Sequence, residues 1–181
     1  MSLVDEPTEQ GLIFDCDGTL ADTMPLHFLS WQQVAQKYGL GLDEDRFYAW
    51  AGQPTVLIIE KLLAERSLEG DPQAIAEEKE EAFHELLPQV QPIEPIVEIA
   101  KAYRDKCRMG VGSGSTRDMV ERVLKHIGLD GFFDAIVGAG DVENAKPAPD
   151  VFLKVADLIG VAPTECRVYE DADLGLSLIH I

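Results

Sequence analysis

Residues Leu12–Leu20 read LIFDCDGTL. Three apolar residues run into two aspartates, Asp15 and Asp17, with one residue between them, and Gly18-Thr19 follow. A continuous apolar run is the pattern of a parallel strand covered on both faces. Carboxylates this close raise one another's pKa unless a positive charge sits between them. The stretch predicts a buried strand whose C-terminal end holds something cationic.

Three more runs of the same kind follow. With GLIFD (Gly11–Asp15), they are RMGVGS (Arg108–Ser113), FDAIVG (Phe133–Gly138) and CRVYED (Cys166–Asp171). Helical segments separate them. TRDMVERVLKHIGL places Met119, Val120, Val123, Leu124 and Ile127 on one face and stops at Gly128. PDVFLKVADLIGV does the same with Val151, Phe152, Val155, Ala156 and Ile159, and stops at Gly160. Strands alternating with helices predict a doubly wound parallel α/β sheet.

The stretch from about Asp22 to Pro95 has no convincing strand. PLHFLSWQQVAQKYGL, DEDRFYAWAG, PTVLIIEKLLAERS and DPQAIAEEKEEAFHELL all carry helical patterning. Asp43 and Asp71 are candidate N-caps and Gly39 a candidate stop. The expected organisation is an α/β catalytic core over 9–22 and 96–181, with an all-helical insertion over 23–95. The proline-rich LPQVQPIEP (Leu87–Pro95) is the expected return hinge, and the charge run EEKEEAFHE the expected solvated helix face. Trp31, Phe47 and Trp50 are expected in the core of the insertion rather than as a substrate platform.

Bulk properties narrow the function. The chain has 181 residues, 46% hydrophobic, with a formal net charge of −18. Such acidity excludes nucleic acid and an anionic membrane as favoured partners, and an anionic substrate needs a local positive site. Three cysteines, Cys16, Cys107 and Cys166, show no metal spacing and point to a reducing compartment. Cys16 is expected to pack into the core. No apolar run has membrane-span length and no signal-peptide pattern opens the chain, so a cytoplasmic location is expected.

In open α/β sheets, ligands sit outside the carboxyl ends of the strands. Here those ends deliver Asp15 and Asp17, then Ser113-Gly114-Ser115, then (through a loop) Lys146, then Glu170 and Asp171. Asp15, Asp17 and Asp171 supply hard oxygen ligands, which suit Mg²⁺. The metal is then the charge that lets the paired aspartates coexist. Ser113 and the turn amides of SGST stand where a helix begins, as a phosphate site or a plain N-cap. Lys146 adds a cation. An anionic group held there is open to attack by a carboxylate, giving an aspartyl phosphate.

The set DxDGT, Ser-Gly, Lys-Pro and Glu-Asp resembles the haloacid dehalogenase superfamily. The helical insertion after the first motif resembles its helical-cap subclass, the β-phosphoglucomutase-like branch. FDCDGTLADTMPLHFLSW, AKPAPDVF and YEDADLG are similar to bacterial sugar phosphatases of the fructose-1-phosphatase kind. The resemblance implies that Asp15 is nucleophile and metal ligand. It implies that Asp17 is general acid and base, meeting the metal through its backbone carbonyl. Ser113, Gly114 and Lys146 would hold the phosphate. Asp171 would bind Mg²⁺, with Glu170 contacting it directly or through water. Asp15 must stay ionised while Asp17 exchanges protons, so their pKa values should be pushed apart. The dehalogenases of the superfamily lack the second acid.

In the insertion, His27 matches a histidine near the acid/base aspartate and is either a core residue or a substrate contact. Gln53 and Thr55 fall in the family's specificity loop. The chain departs from the mutase pattern, with no arginine at Thr55 and no lysine at Ala51 to hold a second phosphate. That favours a phosphatase acting on a small phosphorylated sugar over a phosphomutase. A non-catalytic phosphate-binding member is the remaining alternative. After YEDADLG the superfamily continues with a helix and a strand, whereas LSLIHI ends this chain six residues after Gly175. The C-terminal part of the core therefore reads as truncated. A monomer or weak homodimer is expected, the second copy covering exposed apolar surface.

Overall fold

The computed structural model describes residues 9–172. Gly175, His180 and the LSLIHI tail lie outside the described residues. Four parallel strands form one sheet, β1 (Gly11–Phe14), β2 (Arg108–Gly112), β3 (Ala135–Val137) and β4 (Cys166–Tyr169), in the order β3-β2-β1-β4. The register sets Phe14 between Val111 and Tyr169, and Ile13 between Gly110 and Val168. Seven helices accompany them: α1 (Met24–Tyr38), α2 (Glu44–Ala49), α3 (Thr55–Arg66), α4 (Pro72–Leu86), α5 (Glu94–Tyr103), α6 (Arg117–His126) and α7 (Asp150–Ile159).

The unbroken apolar run of β1 follows from burial on both sides. Leu12 and Phe14 join Val97, Ala100, Met109, Val111 and Val120 on the face covered by α5 and α6. Ile13 joins Val137, Val151, Phe152, Val155 and Ile159 on the face covered by α7. Successive strand residues point to opposite faces, so a strand lined on both must be apolar throughout. Gly110 lets α7 approach, because a Cβ there would run into Val155. α5 carries no separate signal in the proline-rich stretch read as a hinge. Glu94 and Pro95 instead open this helix, where proline's missing N–H costs nothing.

The helices α1–α4 gather around their own cluster, which includes Trp31, Val34, Leu40, Phe47, Ile59, Leu62 and Ile75. Asp43 caps α2 by accepting from the Arg46 amide, Asp71 caps α4, and Gly39 ends α1 in the left-handed conformation. The chain leaves the sheet after β1 and returns before α5 along the same path. Asp22 N donates to Gln91 O at 2.8 Å and Ile93 N to Leu20 O at 2.9 Å. These bonds tie the exit and the return together. Leu26 and Phe83 reach from the helices into the sheet's own cluster.

The charge run on α4 is not uniformly solvated, in contrast to the sequence expectation. Lys79 is 3% exposed and Phe83 is fully buried. The helical period turns these two inward while Glu77, Glu81 and Glu85 face out. Among the described residues no helix is long and apolar enough to cross a membrane.

Candidate active site

The site forms at the C-terminal ends of β1, β2 and β4, against the inner side of the helical block. One cavity is lined by Asp15, Asp17, Gly114, Ser115, Lys146, Glu170 and Asp171 from the sheet side. His27, Trp31, Trp50, Gln53, Thr55 and Lys79 line it from the helical side. Trp31 and Phe47 are buried in the helical cluster and also border the cavity, so packing and lining coincide in them.

Asp15 and Asp17 leave the same turn and diverge. The Asp15 amide is pinned to Tyr169 O at 2.9 Å, which aims its side chain at the β4 end. There an oxygen of Asp15 and oxygens of Glu170 and Asp171 lie within 4.8 Å of one another. Lys146 Nζ donates to Asp15 Oδ1 and to Glu170 Oε2, each at 2.7 Å. Asp171 accepts from Thr19 Oγ1 at 2.9 Å. Gly18 has φ +90°, and a Cβ at that position would collide with Asp171. Glycine is therefore required there for the turn to bring Asp171 beside Asp15.

Asp17 faces the other way. Its Oδ1 accepts from Thr23 Oγ1 at 2.8 Å and faces His27 Nε2 at 3.3 Å. Its Oδ2 accepts from Ser115 Oγ at 2.7 Å and from Ser113 Oγ at 3.1 Å. The Ser113 hydroxyl in turn accepts from the Ser115 amide at 2.9 Å. Lys79 Nζ lies 2.9 Å from His27 Nδ1. An ammonium only donates, so Nδ1 is the acceptor and the ring proton sits on Nε2, pointing at Asp17. The His27 ring stacks on Phe83 with centroids 3.8 Å apart, which fixes the plane of the imidazole beside Asp17.

The two aspartates are electrostatically opposite. Burial pushes Asp15 up to about 8, against Lys146, with Glu170 and Asp17 adding to the rise. Burial also acts upward on Asp17, but hydrogen bonds from His27, Ser115 and Thr23 outweigh it and hold Asp17 below the usual carboxylate range. Burial and the neighbouring Lys79 lower His27, so its neutral form is favoured. Burial works against the Lys146 ammonium, yet Asp15 and Glu170 raise its pKa. The values are pushed apart, but in the sense opposite to the one nucleophile and acid need. Burial of Asp15 is the main cause, and the neighbouring carboxylates add to it. One ammonium faces three carboxylates, so Asp15 ionises fully only when more positive charge arrives.

That deficit tests the donor set for a metal. Three converging carboxylates, with Asp15 and Asp171 both pushed up by burial, are hard oxygen donors short of a cation, and they fit a small divalent ion. The Asp17 carboxylate is fully engaged elsewhere, which leaves its backbone carbonyl as the atom it has to offer. Gln53 Oε1 accepts from Lys61 at 3.2 Å and Thr55 Oγ1 donates to Glu80 at 3.1 Å, so both loop residues line the cavity with their polar ends partly committed. Sequence reasoning misses Lys79 and Thr23, and it reads Ser115 only as part of the Ser113-Gly114-Ser115 turn. Lys79 lay hidden in the charge run, where only its place on the inner face of α4 distinguishes it.

A parallel α/β sheet carrying this carboxylate–lysine cluster at its strand ends, under a helical block, defines an aspartate-centred hydrolase. A profile of haloacid dehalogenase-like hydrolases matches residues 12–177, and the chain belongs to that family. It is 44% identical over 167 residues to the fructose-1-phosphate phosphatase YqaB of Escherichia coli, spanning 92% of this chain and 88% of that one. It is 33% identical over 171 residues to a phosphorylated carbohydrates phosphatase of Thermotoga maritima, spanning 92% and 78%. The solved structure of a β-phosphoglucomutase from Clostridium difficile superposes with a TM-score of 0.82 at 28% identity, over 96% of this chain and 81% of that one.

Proposed function

We propose that this enzyme is a Mg²⁺-dependent phosphatase that removes phosphate from a small sugar phosphate of the fructose 1-phosphate kind. The observation that carries the proposal is the divergence of Asp15 and Asp17 from one turn. One enters the cation-deficient cluster and the other a cradle of hydroxyls and an imidazole. In this division of labour Asp15 is the nucleophile and Asp17 moves protons. The core over 9–22 and 96–181 performs the chemistry, and the helical cap over 23–95 covers it. The similarity to two sugar phosphatases supports the substrate class.

Asp15, Glu170 and Asp171 would hold Mg²⁺, together with the Asp17 carbonyl. When bound, the ion neutralises the carboxylate cluster and the phosphate charge. Asp15 attacks phosphorus, the bond to the sugar oxygen breaks, and Asp17 delivers a proton to that oxygen. Asp17 then takes a proton from the water that attacks the phosphorus of the aspartyl phosphate. Inorganic phosphate leaves and the Asp15 carboxylate is restored. As found, Asp17 accepts from three hydroxyls and faces the His27 N–H, which is its base form and suits the second half of this cycle. Lys146, with Ser113 and the Gly114 turn, would hold the phosphate oxygens. His27, Gln53 and Thr55 would meet the sugar.

A phosphomutase shares this constellation, and the likeness to a solved β-phosphoglucomutase keeps it as the second reading. It would show as turnover that depends on a sugar bisphosphate activator. The deciding experiment is phosphate release from a panel of sugar phosphates, with Mg²⁺ and with a chelator, and with Asp15→Asn as the blank. Metal-dependent release that disappears in the variant is expected. No release from any substrate by folded protein would reject the proposal.

A further inference from the structure

The cap-side lining of the cavity holds one charged side chain among the described residues, Lys79. Its ammonium is 3% exposed and is held from two sides, by His27 Nδ1 at 2.9 Å and by Glu80 Oε1 at 3.1 Å. The same Glu80 oxygen accepts from Thr55 Oγ1 at 3.1 Å. Thr55 opens α3 directly after the loop Gly52–Pro54. Glu80 itself stands behind the lining, 31% exposed at its side chain, and does not border the cavity. Lys61 and Arg46 approach the Trp50 ring, yet Lys61 is bound to Gln53, Arg46 to Glu65, and neither lines the cavity.

We propose that Glu80 is a specificity-determining residue: by pairing with Lys79 and anchoring Thr55 it makes the cap wall electrically neutral, so the site accepts the uncharged polyol of a phosphomonoester and turns away a second anionic group. The inference rests on the phosphatase proposal above and deepens it. A buried ammonium facing a sugar pocket is by itself an anion site, since charge-assisted bonds to phosphate or carboxylate are among the strongest available. With Glu80 beside it, that ammonium is already satisfied. A second phosphate would have to displace the Glu80 carboxylate or lie desolvated next to it, and both are unfavourable. Glu80 acts through Lys79 and Thr55 and has no need to touch the substrate.

The test compares kcat/KM for fructose 1-phosphate, fructose 1,6-bisphosphate and p-nitrophenyl phosphate in the native chain and in Glu80→Gln. Glutamine keeps the shape and an acceptor for Thr55 but removes the charge. The bisphosphate-to-monophosphate ratio should rise about tenfold or more in Glu80→Gln, and Glu80→Asp should restore the native ratio. Lys79→Met leaves the Glu80 charge uncompensated, so the same ratio should fall, which gives a second readout should Glu80→Gln fold poorly. A ratio that stays within twofold in the folded variants, while p-nitrophenyl phosphate is still hydrolysed, overturns the role of Glu80. If the native chain hydrolyses none of the three, the phosphatase proposal falls, and this inference with it.

Discussion

The ammonium of Lys146 and the carboxylate of Asp15 meet at 2.7 Å, with side chains only 3% and 5% exposed. Glu170 closes the other side of the same ammonium at 2.7 Å. Removing one member of a buried pair leaves uncompensated charge, which costs about 3–5 kcal/mol. Lys146→Met should therefore lose stability of up to that order in denaturant titrations, the most above pH about 8, where Asp15 is ionised. It should also lose turnover. A loss under about 1 kcal/mol would show that water already reaches the pair.

The raised pKa of Asp15 sets a sign for stability against pH. Its folded value of about 8 lies above the 3.8 of an unperturbed aspartate, so between the two the folded state holds the extra proton. The associated stability is fully present below about 4 and is lost as pH rises toward about 8. Thermal melts of metal-free protein should show a falling melting temperature across that window. Asp15→Asn should flatten the slope, and Mg²⁺ should flatten it too by favouring the ionised form. A melting temperature that climbs with pH in the chelated native protein would contradict the arrangement.

His27 presents its Nε2–H to Asp17 and takes its orientation from Lys79 and Phe83. His27→Ala removes one of the donors that hold Asp17 low. The limb that Asp17 sets in the pH profile of turnover should move to higher pH, with kcat down by about a hundredfold, the lower end of a proton-transfer contribution. An unchanged limb would make His27 a packing residue only.

Gly114 carries the cap on its back. A Cβ there would stand 2.5 Å from Gly52 O, in the loop ahead of α3. Backbone cannot yield as a side chain tip can, so Gly114→Ala should push the loop away from the sheet. Overpacking of this kind costs about 1–3 kcal/mol when it cannot relax. The melting temperature should fall accordingly, while kcat/KM on a sugar phosphate falls about tenfold or more and p-nitrophenyl phosphate suffers less. Equal loss on both substrates would place the damage in the phosphate site.

Much of the α/β frame was legible in residue order alone. LIFD, RMGVG and CRVY declare themselves because strands buried on both faces must be continuously apolar, and Gly39 and Gly160 because helix ends favour the left-handed conformation. Asp43 and Asp71 were legible as caps for an equally local reason. α5 was not, since its prolines serve a helix start as readily as a hinge. Lys79 was not, since composition cannot say which member of a charge run faces inward.

The sequence by itself determined which residue types stand at the strand ends, because those positions follow from strand pattern and chain order. Only the tertiary structure decided how they divide. Asp15 and Asp17 are two residues apart, yet one meets Lys146 from 131 positions away and the other meets Ser115 from 98 positions away. Electrostatic environment depends on distance and burial through space, and neither can be read from separation along the chain. The same reason hid the chain of Lys79, His27 and Asp17, whose members lie on α4, on α1 and beyond β1, and become neighbours only when the helices close over the sheet.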